Sequence, residues 1–451
     1  MHKKVTFLLT ETFHMFNYNL KVEFYLYIIT TDYLVKKIFI KLIEVNCMYN
    51  YMLNKTNNIS SQEAIELLKN LVCIKSDFFH EEKIMKFTYE WLKNNNLNIE
   101  FHNYEDKKIT GFKGINLIGS LEGSKQGPVI LINCHLDTVN ECSGWTKHPY
   151  NPVIENGRLY GLGALDMKSG CAAALMALKK FNETIKEFKG KIIYSFVSDE
   201  EGPYGLGTSF SIKDKLYKDA DIAIILEPSS GFLFTQKQSI CLGARGGYQY
   251  KIKLYGKSSH AATPQNGINA IEDASKLIVE LSKLPAAYDE KLGNSSICIT
   301  DIKSKGNGCS VPDYAEIEIF KHIVMGENKQ SIIEEIKLAA INANIKSKYE
   351  IVFREDPLDG SGGFMPYTVD EKNKYIKEFY DCVEDITGKS PEINYFSSIG
   401  DFNTISEKLN IPVIVYGPSG SNFHSYDEYV EIDTFLEVSE VLYGYLVKKL
   451  T

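Results

Sequence analysis

None of the nine cysteines stands in a C-x-x-C pair, and their number is odd. They scatter at positions 47, 73, 134, 142, 171, 241, 298, 309 and 382. That argues against a disulfide framework and for free thiols in a reducing compartment, so a cytoplasmic protein is expected. No long basic run is present, and the net charge is -8. Neither nucleic acid nor an anionic membrane surface is therefore an expected partner. No uncharged apolar run approaches the roughly 20 residues of a spanning helix. No G-x-S-x-G elbow or Cys-His signature offers a nucleophile.

What is present is an ordinary globular composition, 44% hydrophobic and 24% charged over 451 residues. That length exceeds one small core and predicts two domains. Residues 1–59 differ from the rest. They are apolar and aromatic, but Glu11, Lys21, Glu23, Asp32, Lys36 and Lys37 interrupt them. They also lack the layout of a signal peptide. They are expected to be an extension outside the folded unit, with Met48 and Met52 as later candidate starts.

The folded unit is predicted to begin at Ser60, where Ser60 and Glu63 form a capping box before a helix. The segments "GPVILINCHLD", "GKIIYSFVSDEEG", "DADIAIILEPS" and "IPVIVYGPSG" are short β-branched runs bounded by Gly, Pro or Asp. Continuous apolar strands predict a mostly parallel sheet covered by helices on both faces. From about Gly243 the pattern changes to strand, helix, two strands, helix, strand. That is the ferredoxin-like order, placed as an inserted domain over residues 244–356. The expected architecture is an α/β domain of residues 60–243 and 357–451 carrying this insertion.

Polar residues collect where the apolar strands end. His135 and Asp137 follow the first, and Asp166 sits in a glycine-rich turn before a small-residue helix. Glu200 and Glu201 follow the next, Glu227 the one after, and His424 the last. Singly, each has a plainer role: a core histidine, a helix cap, a solvated turn. Jointly they form a mixed nitrogen and oxygen donor set, which suits zinc or a similar divalent ion; calcium would want oxygens alone. Two ions about 3.5–4 Å apart, bridged by a carboxylate, fit the donor count. In the H-x-D pair, residues i and i+2 share one side of an extended segment. Asp137 is thereby placed to orient His135.

The motifs "CHLDTV", "GRLYGLGALDMKSG", "SDEEG", "LEP" and "YGPSG…FHSYDEYV" lie in one order along the chain. In order and approximate spacing they resemble a zinc metallopeptidase family. Its members include acetylornithine deacetylase, succinyl-diaminopimelate desuccinylase, carboxypeptidase G and aminoacylase. The resemblance covers about residues 61–451. It implies a zinc-binding α/β domain with an inserted lid that often pairs two subunits, so a homodimer is expected. It implies that Asp166 bridges two zinc ions, with cobalt or manganese as substitutes. His135 and Glu227 would complete one metal, and Glu201 and His424 the other. Glu200 would be the general base and Asp137 the partner of His135. His260, by itself an exposed loop histidine, would be the lid's donor to the oxyanion.

The implied reaction is hydrolysis of the amide bond of an N-acyl amino acid, with a carboxypeptidase or dipeptidase as the alternative. A non-catalytic binder of amino-acid derivatives would lack ligands or Glu200, and all are present. The lid departs from the family pattern. Relatives place an asparagine three residues before the position of Pro312 and an arginine ten residues after it. Here those positions hold Cys309 and His322. Arg245 and Lys321 are the nearby cations in sequence.

Overall fold

The computed structural model describes residues 59–229, 238–306, 308–358, 360 and 362–451. The expected N-terminal extension, Ile59 apart, lies outside them. The first described helix, α1 (Ser61–Cys73), is capped by the Ser60 hydroxyl, which accepts from the Glu63 N–H at 3.3 Å. The Glu63 carboxylate pairs with Lys179, so it ties α1 to a neighbouring helix. Helix α2 spans Glu82–Asn94.

Twelve strands carry the architecture. In chain order they are β1 (Ile99–Glu105), β2 (Lys113–Glu122), β3 (Lys125–His135), β4 (Lys189–Val197), β5 (Ile222–Ile225), β6 (Ser239–Ala244), β7 (Gly246–Tyr255), β8 (Ser296–Ser304), β9 (Tyr314–Ile323), β10 (Lys348–Phe353), β11 (Glu392–Phe396) and β12 (Val413–Val415). The large sheet runs β1-β2-β4-β3-β5-β12-β6, with β11 and a short strand at Tyr367–Thr368 beside β6. Its centre, β4-β3-β5-β12, is parallel. Its flanks are mixed: β1 and β2 run antiparallel, and β11 pairs parallel with β6. The central strands are buried on both faces, as continuous apolar runs require. By contrast β1 is mostly exposed, with only Ile99 and Tyr104 buried.

Helix α3 (Ser169–Thr184) packs on this sheet between α1 and the C-terminal helix α9 (Ile432–Leu450). Its small residues are a steric requirement. A Cβ at Gly170 would stand 2.2 Å from the Leu226 carbonyl oxygen. Burying Leu175, Leu178 and Phe181 on this helix contributes about 1.5–3 kcal/mol each.

The second sheet runs β8-β9-β7-β10, all antiparallel. Helices α5 (Ala270–Leu281) and α6 (Lys329–Asn342) cover one face, with Ile252, Leu277, Ile317, Ile319 and Ile336 at the core. The strand and helix order is the ferredoxin-like one. This sheet also takes a short strand at Gly363–Phe364, beyond the expected limit of 356. Helix α4 (Leu206–Lys213) follows the turn after β4. Helices α7 (Lys374–Thr387) and α8 (Asp401–Leu409) return the chain to the large sheet.

Candidate metal centre

In open α/β sheets, ligands gather beyond the carboxyl ends of the strands. His135 is the last residue of β3, Glu200 and Glu201 lie just past β4, Glu227 past β5, and His424 past β12. Asp166 comes from the turn that leads into α3. The four parallel strands thus deliver distant residues to one edge.

The distances are short. His135 Nε2 lies 3.0 Å from Glu227 Oε1, 3.4 Å from Asp166 Oδ1 and 3.9 Å from Glu200 Oε2. His424 Nε2 lies 2.9 Å from Glu201 Oε2 and 3.5 Å from Asp166 Oδ2. The two oxygens of Asp166 therefore face two different imidazoles. Ligand atoms of His135, Asp166 and Glu201, and again of His135, Glu200 and Glu227, lie within 4.8 Å of one another. His135 is buried, and its Nε2 has no hydrogen-bond partner. A buried imidazole nitrogen without a hydrogen bond, ringed by carboxylates, is a donor set that a divalent cation satisfies. The residues fit the metal pair that the sequence implies.

Asp137 holds His135 from two atoms. The ring Nδ1 is 3.2 Å from the Asp137 backbone oxygen and 3.6 Å from its carboxylate. Oδ2 of Asp137 accepts from the Glu201 N–H at 2.8 Å, so the same side chain also sets the acidic turn. Asp199 and His424 both adopt positive φ, 57° and 56°. Such non-glycine backbone costs on the order of 1–3 kcal/mol and gathers at functional sites.

The carboxylates crowd one another. Burial and the Asp166 charge push Glu227 up to about 8. Burial raises Glu200 well above the usual range, although the His135 charge opposes it. Burial works against the charge of His424, yet Asp166 and Glu201 hold it up at about 11. Burial likewise opposes ionisation of Asp166, but the imidazoles of His135 and His424 beside it depress it.

Two supporting carboxylates escaped the sequence reading. Glu428 is buried and accepts the backbone N–H groups of Gly163, Leu165 and Asp166 at 2.8, 2.7 and 3.0 Å. It holds the turn that presents Asp166. The N–H of Asp401 donates to Glu200 Oε1 at 3.2 Å, while its side chain accepts from Asn133 and Thr208. Glu428 comes four positions after His424, but no spacing rule joins a glutamate to backbone amides some 260 residues away.

The ferredoxin-like domain contributes less to the cluster. His260 is exposed, and its described hydrogen bonds are local, among them Ala262 N–H to its Nδ1 at 3.1 Å. His322 is pushed down to about 4, by burial and then by the Arg245 charge, and so is neutral. Lys321 is buried between Glu327, at 2.9 Å, and Glu335. Arg245 donates through Nε to the Leu292 carbonyl at 3.0 Å and has no ion pair among the described residues. Of these three cations or near-cations, Arg245 alone keeps an unneutralised charge.

No described helix is long and apolar enough to cross a membrane. Comparison with known proteins matches residues 131–448 to peptidase family M20/M25/M40. A succinyl-diaminopimelate desuccinylase of Nautilia profundicola is 26% identical over 371 residues, 81% of this chain and 93% of that protein. The structure resembles an aminopeptidase PepT of Bacillus cereus, with a TM-score of 0.70 at 19% identity, covering 86% of this chain and 99% of the other. It also resembles a Staphylococcus aureus tripeptidase, with a TM-score of 0.71 at 21% identity, covering 87% and 100%. With most of its length matched to the family model, the chain belongs to peptidase family M20/M25/M40, metal-dependent hydrolases of amide bonds.

Proposed function

We propose that this chain is a dinuclear zinc amidohydrolase that cleaves the amide bond of an N-acyl amino acid, of the acetylornithine or succinyl-diaminopimelate kind. The observation that carries the reading is Asp166, with one oxygen toward His135 and the other toward His424. That is the disposition of a bridging carboxylate. His135 and Glu227 would hold one ion, and Glu201 and His424 the other. Zinc suits the mixed donors, with cobalt or manganese as substitutes. When bound, such a pair polarises the scissile carbonyl and lowers the pKa of water toward 7.

The chain's own residues do the rest. Glu200 takes the proton of the attacking water and returns it to the leaving nitrogen, so acyl carboxylate and free amine leave together. The Asp401 amide holds Glu200 Oε1, which leaves Oε2 for the transfer. Asp137 fixes the ring of His135. His260 is the donor to the oxyanion, brought in by closure of the lid or by the lid of a second copy. The lid spans about residues 244–356 and pairs two subunits in this reading, and the enzyme works in the cytoplasm. Arg245 is the cation that grips the substrate carboxylate, since Lys321 is neutralised and His322 uncharged.

The identity to a desuccinylase supports the acyl amino acid over a peptide. The test is a panel of acetylornithine, succinyl-diaminopimelate and dipeptides, run with zinc, cobalt or manganese. Hydrolysis of acyl amino acids is expected. Release from dipeptides alone would replace the deacylase with a carboxypeptidase or dipeptidase, and no hydrolysis of any amide would remove the reading.

A further inference from the structure

A cavity of about 410 Å³ lies between α4, α8 and the segment by which the chain leaves the ferredoxin-like sheet. Ser209, Ile212, Thr404 and Lys408 form two of its walls. None of the proposed metal ligands lines it.

Arg354, the residue after β10, is set in this cavity in an unusual state. Its guanidinium lies 5.0 Å from the ring centre of Tyr204 and 6.0 Å from that of Phe364. Its one described side-chain hydrogen bond is long, Nη1 to Gln249 Oε1 at 3.3 Å. Nε is buried and has no partner. A guanidinium carries five N–H donors in a planar fork. No carboxylate among the described residues lies within ion-pair distance, although Asp356 and Glu355 line the same cavity. A half-buried arginine with a buried, unpartnered Nε, set beside two aromatic rings and lining a small cavity, matches an external carboxylate in a bidentate pair.

We propose that this cavity binds a small organic carboxylate of amino-acid size through Arg354. Occupancy would reach the metal centre through two elements. Tyr204 lies three residues after Glu201 in the same turn, and α8 begins with the Asp401 amide that holds Glu200. A ligand there joins the exit of one sheet to the supports of the other.

The test uses the full chain freed of metal by chelation, so that the proposed metal pair cannot hold the probe. Succinate and glutamate are titrated calorimetrically, with sulfate as a charge control. Saturable binding of a carboxylate is expected, weakened about tenfold or more in Arg354→Gln. Thr404→Trp keeps the arginine but fills the cavity, and should abolish binding as well; it decides the matter if Arg354→Gln does not fold. Absence of saturable binding, equal binding of sulfate, or undiminished binding in the folded variants would overturn the site. Because no metal is present, that result leaves the amidohydrolase reading untouched.

Discussion

The edge of the parallel sheet and the exposed rim of the ferredoxin-like domain stand in contrast. At the sheet edge, every proposed ligand except His424 is largely buried, and neighbours hold several of the site's groups: Asp137 holds His135, Glu428 holds the Asp166 backbone, and the Asp401 amide holds the proposed base Glu200. On the rim, His260 is exposed, and its described hydrogen bonds stay within its own loop. A preformed cluster of charges needs packing to hold it, because desolvated carboxylates repel one another. A donor that acts after closure needs none of that until the substrate arrives.

The largest expected break in this contrast is Glu200→Gln. It should keep its zinc by elemental analysis and lose about 10²–10⁴ in kcat. Retained activity would strip Glu200 of its role. Next is the rim: His260→Ala should lose about 10²–10³ in kcat with zinc content and melting temperature unchanged. A loss of zinc instead would place His260 in the cluster. Third is the support behind the edge. Glu428→Ala leaves three buried N–H groups without acceptors, so zinc affinity measured against a competing chelator should fall about 10–100-fold. Equal affinity would reduce Glu428 to ordinary packing.

The smallest effect is the response to pH. Burial first, then the Asp137 charge, raises Glu81 to about 8 and Asp199 to about 9; burial raises Glu428 to about 8. His424 is held at about 11. All four keep protons in the fold at pH values where the unfolded chain has released them. For the acids the folded state becomes less favourable as pH rises from their ordinary range to 8 or 9. For His424, stabilisation is complete below about 6.5 and drains toward 11. The signs agree, so metal-free protein should melt lower at about pH 9 than at about pH 6. The zinc-loaded protein should show less of this trend. A rising melting temperature in the metal-free protein would contradict the assignment of these groups as protonated.

The β-branched runs before His135, Asp199 and Glu227 were legible as buried strands because they are short and bounded by Gly, Pro or Asp, which separates them from buried helices. The ferredoxin-like order was legible because its helices and strands differ in period. The flanking strands β1 and β2 were not, since β1 carries no continuous apolar run and turns both faces partly to solvent. The capping box was half legible: Ser60 caps, but Glu63 finds Lys179, a partner 116 residues away.

The sequence by itself determined which groups could bind metal, because donor chemistry resides in residue type and the strand ends are written in local pattern. Only the tertiary structure decided which oxygen of Asp166 faces which imidazole, that Glu428 carries the turn beneath it, and that Lys321 is spent on two glutamates while Arg245 is not. Those outcomes depend on contacts between residues far apart along the chain, and such contacts leave no periodic trace in the order of amino acids.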